Sequence, residues 1–287
     1  VGKINGYPIF IPHALPGEIV EIKVVKVNKK LAYGKLLNVV KESPNRVEPP
    51  CDVFYKCGGC QLQHMSYDLQ LDMKRNQVVN VMKKIAHLAD VTIHPTIGME
   101  DPWRYRNKVQ IPVGEKEGKL ITGFYQPRSH RMIDNMDTCV ITNETGDRIV
   151  AAVRRIADRL GISAYHEETH SGMLRHIMVR TGKATEETML VLITRTEKLP
   201  HVETIVKEIT STFPNVKSII QNINPDRTNV ILGEKTKVLW GDEYIHDKIG
   251  DLTFAISARS FYQVNPIQTE KLYQKALEYA DIGPNDI

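Results

Sequence analysis

A chain of 287 residues, 41% hydrophobic and 25% charged, is long enough for two or three domains, each with its own core. No apolar run approaches the roughly 20 residues of a membrane span, and four cysteines are too few for a disulfide scaffold, which points to a reducing, cytoplasmic setting. The net charge of +4 is uneven: residues 1–50 hold eight Lys and Arg against four Glu, and the rest of the chain balances. A basic module joined to a neutral one points to a polyanion partner at the N-terminal end, with plain solvated surface as the other reading.

The opening, Val1-Gly2-Lys3-Ile4, has neither an initiator Met nor a signal-peptide pattern, and reads as the interior of a first domain. Residues 9–11, 18–27 and 32–40 alternate as short strands, punctuated by Pro16-Gly17 and Asn28-Lys29-Lys30. Short strands with tight turns over residues 1–48 predict a small barrel of the OB type. Ser43 to Pro50 carries three prolines and reads as a linker. A helix capped by Ser66 is predicted to run to about residue 88, with Leu69, Met73, Val78, Val79, Met82 and Ile85 at apolar spacing.

Farther on, 106–113, 119–125, 173–180, 188–195, 217–223 and 229–232 read as strands, and 236–240 and 252–256 as extended chain. Residues 145–160, 201–212 and 266–280 read as helices. The expected fold class is therefore mixed α/β and multidomain. A barrel at 1–48 is followed by a cysteine loop and central α+β domain at 49–255, and 256–287 opens a further unit.

Cys51, Cys57 and Cys60 fall within ten positions, with Gly58-Gly59 between the last two, and Cys139 is the only other cysteine. Four thiolates can ligate a [4Fe–4S] cluster, and glycines let such a loop turn its amides toward sulfur. A four-cysteine zinc site is the main competitor, although it more often uses two close pairs. Unligated thiols are the third reading, and spacing alone leaves all three open. A radical-SAM cluster is disfavoured, because its three cysteines need a different spacing.

Cys57-Gly58-Gly59-Cys60-Gln61-Leu62-Gln63-His64 after an upstream cysteine resembles the cluster signature of the bacterial 23S rRNA uracil-C5 methyltransferases, relatives of the tRNA uracil-54 enzyme. Trp103-Arg104-Tyr105-Arg106-Asn107-Lys108, Gly123-Phe124-Tyr125 through Ser129-His130 to Cys139, Leu174-Arg175-His176 and Phe261-Tyr262-Gln263-Val264-Asn265 are similar to further stretches of that family, in family order. The N-terminal strands resemble its TRAM module.

The resemblance implies a [4Fe–4S] cluster on Cys51, Cys57, Cys60 and Cys139, and S-adenosylmethionine (SAM) as methyl donor, contacted by Gln263 with Asn265 beside it. It places Phe261 near the target base, with a buried strand-end aromatic as the plain alternative. Arg104, Arg106 and Lys108 become phosphate contacts, Arg128 and Arg131 belong to a second basic loop, and His64 is a packing residue near the cluster. The implied partner is RNA, most closely 23S rRNA, bound by a cytoplasmic monomer. In the family a cysteine thiolate adds to C6 of uracil, C5 takes the methyl group, and a carboxylate removes the C5 proton. That cysteine lies in a C-terminal Rossmann-like SAM-methyltransferase domain. All four cysteines here are claimed by the cluster, so no catalytic residue is expected within these 287 residues and the chain alone is expected to be inactive. A stand-alone iron–sulfur RNA-binding protein is the non-enzymatic alternative, and a TRAM-bearing methylthiotransferase the third.

Overall fold

The computed structural model describes residues 1–134 and 136–283. The chain divides into two compact units, Val1–Gly98 and Met99–Ile287. Residues 284–287, in the stretch expected to begin a further strand, lie outside the described residues.

The first unit opens with β1 (Gly2–Ile4) and β2 (Tyr7–Phe10), joined by Asn5-Gly6. Both turn residues have positive φ, at 51° and 82°. That is the geometry of the tight hairpin turn for which Asn-Gly is the strongest local signal. Next come β3 (Ile19–Val27) and β4 (Ala32–Lys41), and the sheet runs in the order β1-β2-β4-β3, with β2 and β4 parallel. Three register shifts between β3 and β4 bend the pair strongly. Among the described residues these four strands pair in that linear order, with no ladder between β1 and β3.

A bidentate ion pair anchors this sheet to the chain that follows. Arg46 donates from Nε to Glu18 Oε1 at 2.5 Å and from Nη2 to Glu18 Oε2 at 2.8 Å, and Nη2 also reaches the His13 carbonyl. Residues 45–47 then pair with 64–66, which draws the intervening cysteine loop against buried Phe54 and Met65. Helix α1 (Tyr67–Lys84) follows. Ser66 stands at its N-cap but makes no side-chain cap bond; its hydroxyl donates to Asn45 Oδ1 instead. None of α1 is buried, although its predicted apolar spacing is present.

In the second unit six strands form one sheet, in the order β10-β9-β8-β7-β5-β6. They are β5 (Lys108–Lys116), β6 (Lys119–Thr122), β7 (Leu174–Thr181), β8 (Thr188–Thr194), β9 (Val216–Ile223) and β10 (Lys235–Gly241). Only β8 and β9 are parallel, and α3 (Val202–Thr212) is their crossover, as parallel neighbours require. The apolar stripe of α2 (Glu144–Arg159) packs on one face with Ile149, Val153 and Ile156 over Val109, Ile177 and Leu190. On the other face Met178, Met189, Val191 and Ile193 meet Ile245, Ile256 and Ala258. These last come from the hairpin of β11 (Ile245–Ile249) and β12 (Leu252–Ile256) and the segment after it. Buried on both faces, β8 is apolar or threonine throughout.

Two expectations change here. Residues 229–232 are a loop, not a strand, because Asn224 Nδ2 takes the carbonyls of Val230 and Ile231 that a ladder would have used. β11 was not expected; its centre is Asp247, which is fully buried. The chain closes on α4 (Pro266–Ala280), started by Asn265, whose Oδ1 accepts from Gln268 N, and by Pro266 at the first turn. Among the described residues no helix is long and apolar enough to cross a membrane.

Candidate nucleic-acid interface

The segment 257–265 lies across the ends of β5 and β7 and is held at nearly every turn. Arg180, the last charged residue of β7, donates from Nη2 to the carbonyls of Ala258 at 3.3 Å and Ser260 at 2.6 Å. Asn107, just before β5, donates from its backbone N to the Val264 carbonyl at 3.0 Å and from Nδ2 to the Gln263 carbonyl at 3.1 Å. Between these clamps Tyr262 donates its hydroxyl to Asp247 Oδ2 at 3.2 Å, and Asp247 Oδ1 accepts from Ala184 N. Burial, then the Asp247 charge, pushes the Tyr262 hydroxyl far above its usual range, so it stays a proton donor. Ser257 and Ser260 close the near end with reciprocal side-chain to backbone bonds.

In the middle of this clamped segment Phe261 is 87% exposed. Isolated exposed apolar residues are ordinary. A phenyl ring held out on a segment tied through the carbonyls of Ser260 and Gln263 on its two sides is not, because burying it would gain about 1.5–3 kcal/mol. The strand-end aromatic is therefore not a core residue. Gln263 and Asn265 lie half-buried on the same segment. Asn265 uses its Oδ1 to cap α4 and its Nδ2 toward Met99 Sδ at 3.1 Å.

The three predicted phosphate contacts have different fates. Arg104 is committed internally. Its Nη1 donates to the carbonyls of Cys139 and Thr142 and to Asp147 Oδ2 at 2.7 Å, and its Nη2 donates to Thr138 Oγ1. These bonds tie down the chain around Cys139, while about a third of the side chain stays exposed. Arg106 contributes backbone bonds to Ile141 and Asn143. Lys108 sits directly across from Arg180 in the β5–β7 register. Burial, followed by the charges of Arg180 and Arg106, pulls its ammonium below the ordinary lysine range. Like charges opposite each other on a sheet repel, so this corner favours an anion.

Arg128 and Arg131 are exposed on the turn of a hairpin in which Tyr125 pairs with Met132. The hairpin's base passes so close that a Cβ on Gly123 would lie 1.7 Å from the Ile133 carbonyl oxygen, hence glycine there. Cys139, on the same unit, is half-buried, and its backbone N donates to Asp147 Oδ2 at 2.8 Å. Asp147 is buried enough that desolvation raises its carboxyl, against the opposing pull of Cys139 N and Arg104.

Cys51, Cys57 and Cys60 lie on the first unit, each half-buried. In their loop Gly59 N donates to Cys57 Sγ at 3.3 Å, the amide-to-sulfur contact that stabilises a thiolate. His64 is 2% exposed, packed on Phe54 with ring centroids 5.3 Å apart, and burial lowers its pKa to about 4. It is a neutral packing residue. Among the described residues no group of three His, Cys, Asp or Glu stands close enough together to hold a metal ion. The donor chemistry of the loop fits a soft metal centre, while its side chains are not gathered around one.

Sequence reasoning missed Arg180, Asn107 and Asp247, which organise the segment. The signal was faint: alternation along 174–181 puts Arg180 on the Met178 side, which a terminal arginine ordinarily leaves for solvent.

The chain is similar to several known proteins. Residues 1–37 match the TRAM domain family. Over all 287 residues the chain is 60% identical to a protein of Oceanobacillus iheyensis named as an uncharacterized RNA methyltransferase, and covers 62% of it. A Halalkalibacterium halodurans protein of the same description is 60% identical over 282 residues, 98% of this chain and 61% of that protein. The chain thus spans about three fifths of the length of these curated relatives. In structure it resembles the tRNA (uracil-54, C5)-methyltransferase of Pyrococcus abyssi, solved with S-adenosyl-L-homocysteine. The TM-score is 0.69 at 27% identity, over 94% of this chain and 60% of that one. The class these findings define is a mixed α/β fold of the kind found in SAM-dependent RNA methyltransferases, with a TRAM domain at its N-terminal end.

Proposed function

We propose that these residues are the RNA-recognition part of a cytoplasmic, monomeric, SAM-dependent methyltransferase acting on uracil C5, with 23S rRNA as its substrate. The observation that carries the reading is Phe261, fully presented on a clamped segment beside the half-buried Gln263. A uracil must leave its stack before C5 can be reached, and an aromatic face holds an unstacked base. Lys108 and Arg106 supply positive charge at the same corner, and Arg128 and Arg131 supply more on the neighbouring hairpin. Gln263 and Asn265 are the methyl-donor contacts. The similarity to proteins named as RNA methyltransferases, and to one solved with the product of the methyl donor, supports the same assignment.

On this reading Cys51, Cys57, Cys60 and Cys139 hold a [4Fe–4S] cluster whose task is structural, since thiolate addition and methyl transfer move no net electrons. The amide aimed at Cys57 and the fixed backbone at Cys139 support it. The thiol that attacks C6 is not one of these four, so the chain binds and orients RNA without transferring the methyl group.

The test compares binding of a uridine-containing single-stranded RNA to wild type and Phe261→Ala. Stacking on an aromatic is worth about 1–3 kcal/mol per base, or about 5- to 150-fold in affinity. Equal affinity would remove Phe261 from the interface. Methyl incorporation from a tritiated donor by this chain alone would overturn the division of labour.

A further inference from the structure

We infer that Arg180 is a positioning residue that fixes the direction in which Phe261 and Gln263 face the substrate base; this rests on the reading of Phe261 as the base contact. Arg180 is 5% exposed, and among the described residues no carboxylate pairs with it. Its partners are backbone carbonyls, those of Ala258 and Ser260, on the near side of Phe261. Its Nε is buried without a partner. Directly across the ladder stands a second cation, Lys108.

For stability alone this is a poor arrangement. A buried charge without a counter-charge costs free energy, and an apolar side chain of similar shape would fold at least as well. What the guanidinium does that an apolar residue cannot is bridge two carbonyls two residues apart from one nitrogen. That sets the path of the chain entering Phe261. Asn107 fixes the exit in the same way, at Gln263 and Val264. With both sides tied, the backbone that carries the phenyl ring is set, and that part of the ordering cost is met on folding rather than on binding. The hydroxyl of Tyr262, tied to buried Asp247, stops the segment from rolling about its own axis.

The test uses the whole chain in two variants. Arg180→Lys keeps the charge but loses the planar fork. Arg180→Met removes the charge and keeps the packed stem. Each is titrated with a uridine-containing RNA and with the same RNA carrying an abasic ribose in place of the uridine, and hydrogen exchange of residues 258–264 is followed in parallel. Wild type should prefer the intact RNA. Both variants should lose about tenfold of that preference, since a hydrogen bond from a charged donor is worth at least that factor. Affinity for abasic RNA should stay the same, and exchange across 258–264 should accelerate. General destabilisation would lower both affinities together and would refute the assignment. So would a folded variant with unchanged preference or unchanged exchange. A wild type that binds both RNAs alike would instead sink the base-contact reading, and the role of Arg180 with it.

Discussion

Replacing Arg46 by Met should destabilise the first unit by about 3 kcal/mol, and the loss should vanish in acid. Glu18 has a fully buried side chain, and its two oxygens accept both forks of Arg46 and the backbone N of Leu15. The Arg46 hydrogen bond is the largest cause that lowers Glu18 to about 2 from its ordinary 4.5. At ~1.4 kcal/mol for each tenfold change in proton affinity, that difference amounts to about 3 kcal/mol, the Arg46 bond supplying the largest part and the Leu15 and Ser43 amides a smaller one. Removing one partner of a buried pair costs about 3–5 kcal/mol in general, so the two routes agree. Because the folded value is depressed, the contribution is present above pH 4.5 and fades as pH falls toward 2. The assay is urea unfolding followed by the methyl NMR signals of buried Ile9 and Leu15, which belong to this unit; Trp103 and Trp240 lie in the other and report on it separately. Wild type and Arg46→Met should differ by about 3 kcal/mol at pH 6 and converge near pH 2. A difference independent of pH would mean that arginine packing, not the ion pair, holds the loop.

Protein purified without oxygen should be brown and contain iron and sulfide; zinc without iron would end the cluster assignment. Lys23→Gln, Lys26→Gln and Lys35→Gln together, all exposed on β3 and β4, should lower the slope of log affinity against log salt by about 2 for single-stranded RNA. An unchanged slope would make those lysines plain surface. Asp147→Ala should cost about 1–3 kcal/mol in the second unit, read by Trp103 fluorescence, because it leaves the Cys139 amide without its acceptor and removes one of the acceptors of Arg104. A loss below about 0.5 kcal/mol would show that the Cys139 turn is held by other contacts.

What the sequence settled by itself was whatever depends on neighbours along the chain. The helices at 144–159, 202–212 and 266–280 carry their apolar period and their stop signals locally, and the strands at 174–181, 188–194 and 216–223 read as apolar runs because both their faces are covered. Tertiary structure decided everything that depends on which polar group meets which backbone. Arg104, in the loop before β5, and Arg180, at the end of β7, are both arginines, and nothing local marks them as ties to distant carbonyls rather than surface charges. Asp247 made β11 unreadable, since a buried carboxylate is tolerated only where Ala184 N and the Tyr262 hydroxyl come to meet it. For the same reason Phe261 could be read from sequence as a strand-end aromatic. Its exposure is set by hydrogen bonds made 80 and 156 residues away in the chain, by Arg180 and Asn107, and periodicity cannot report contacts at that distance.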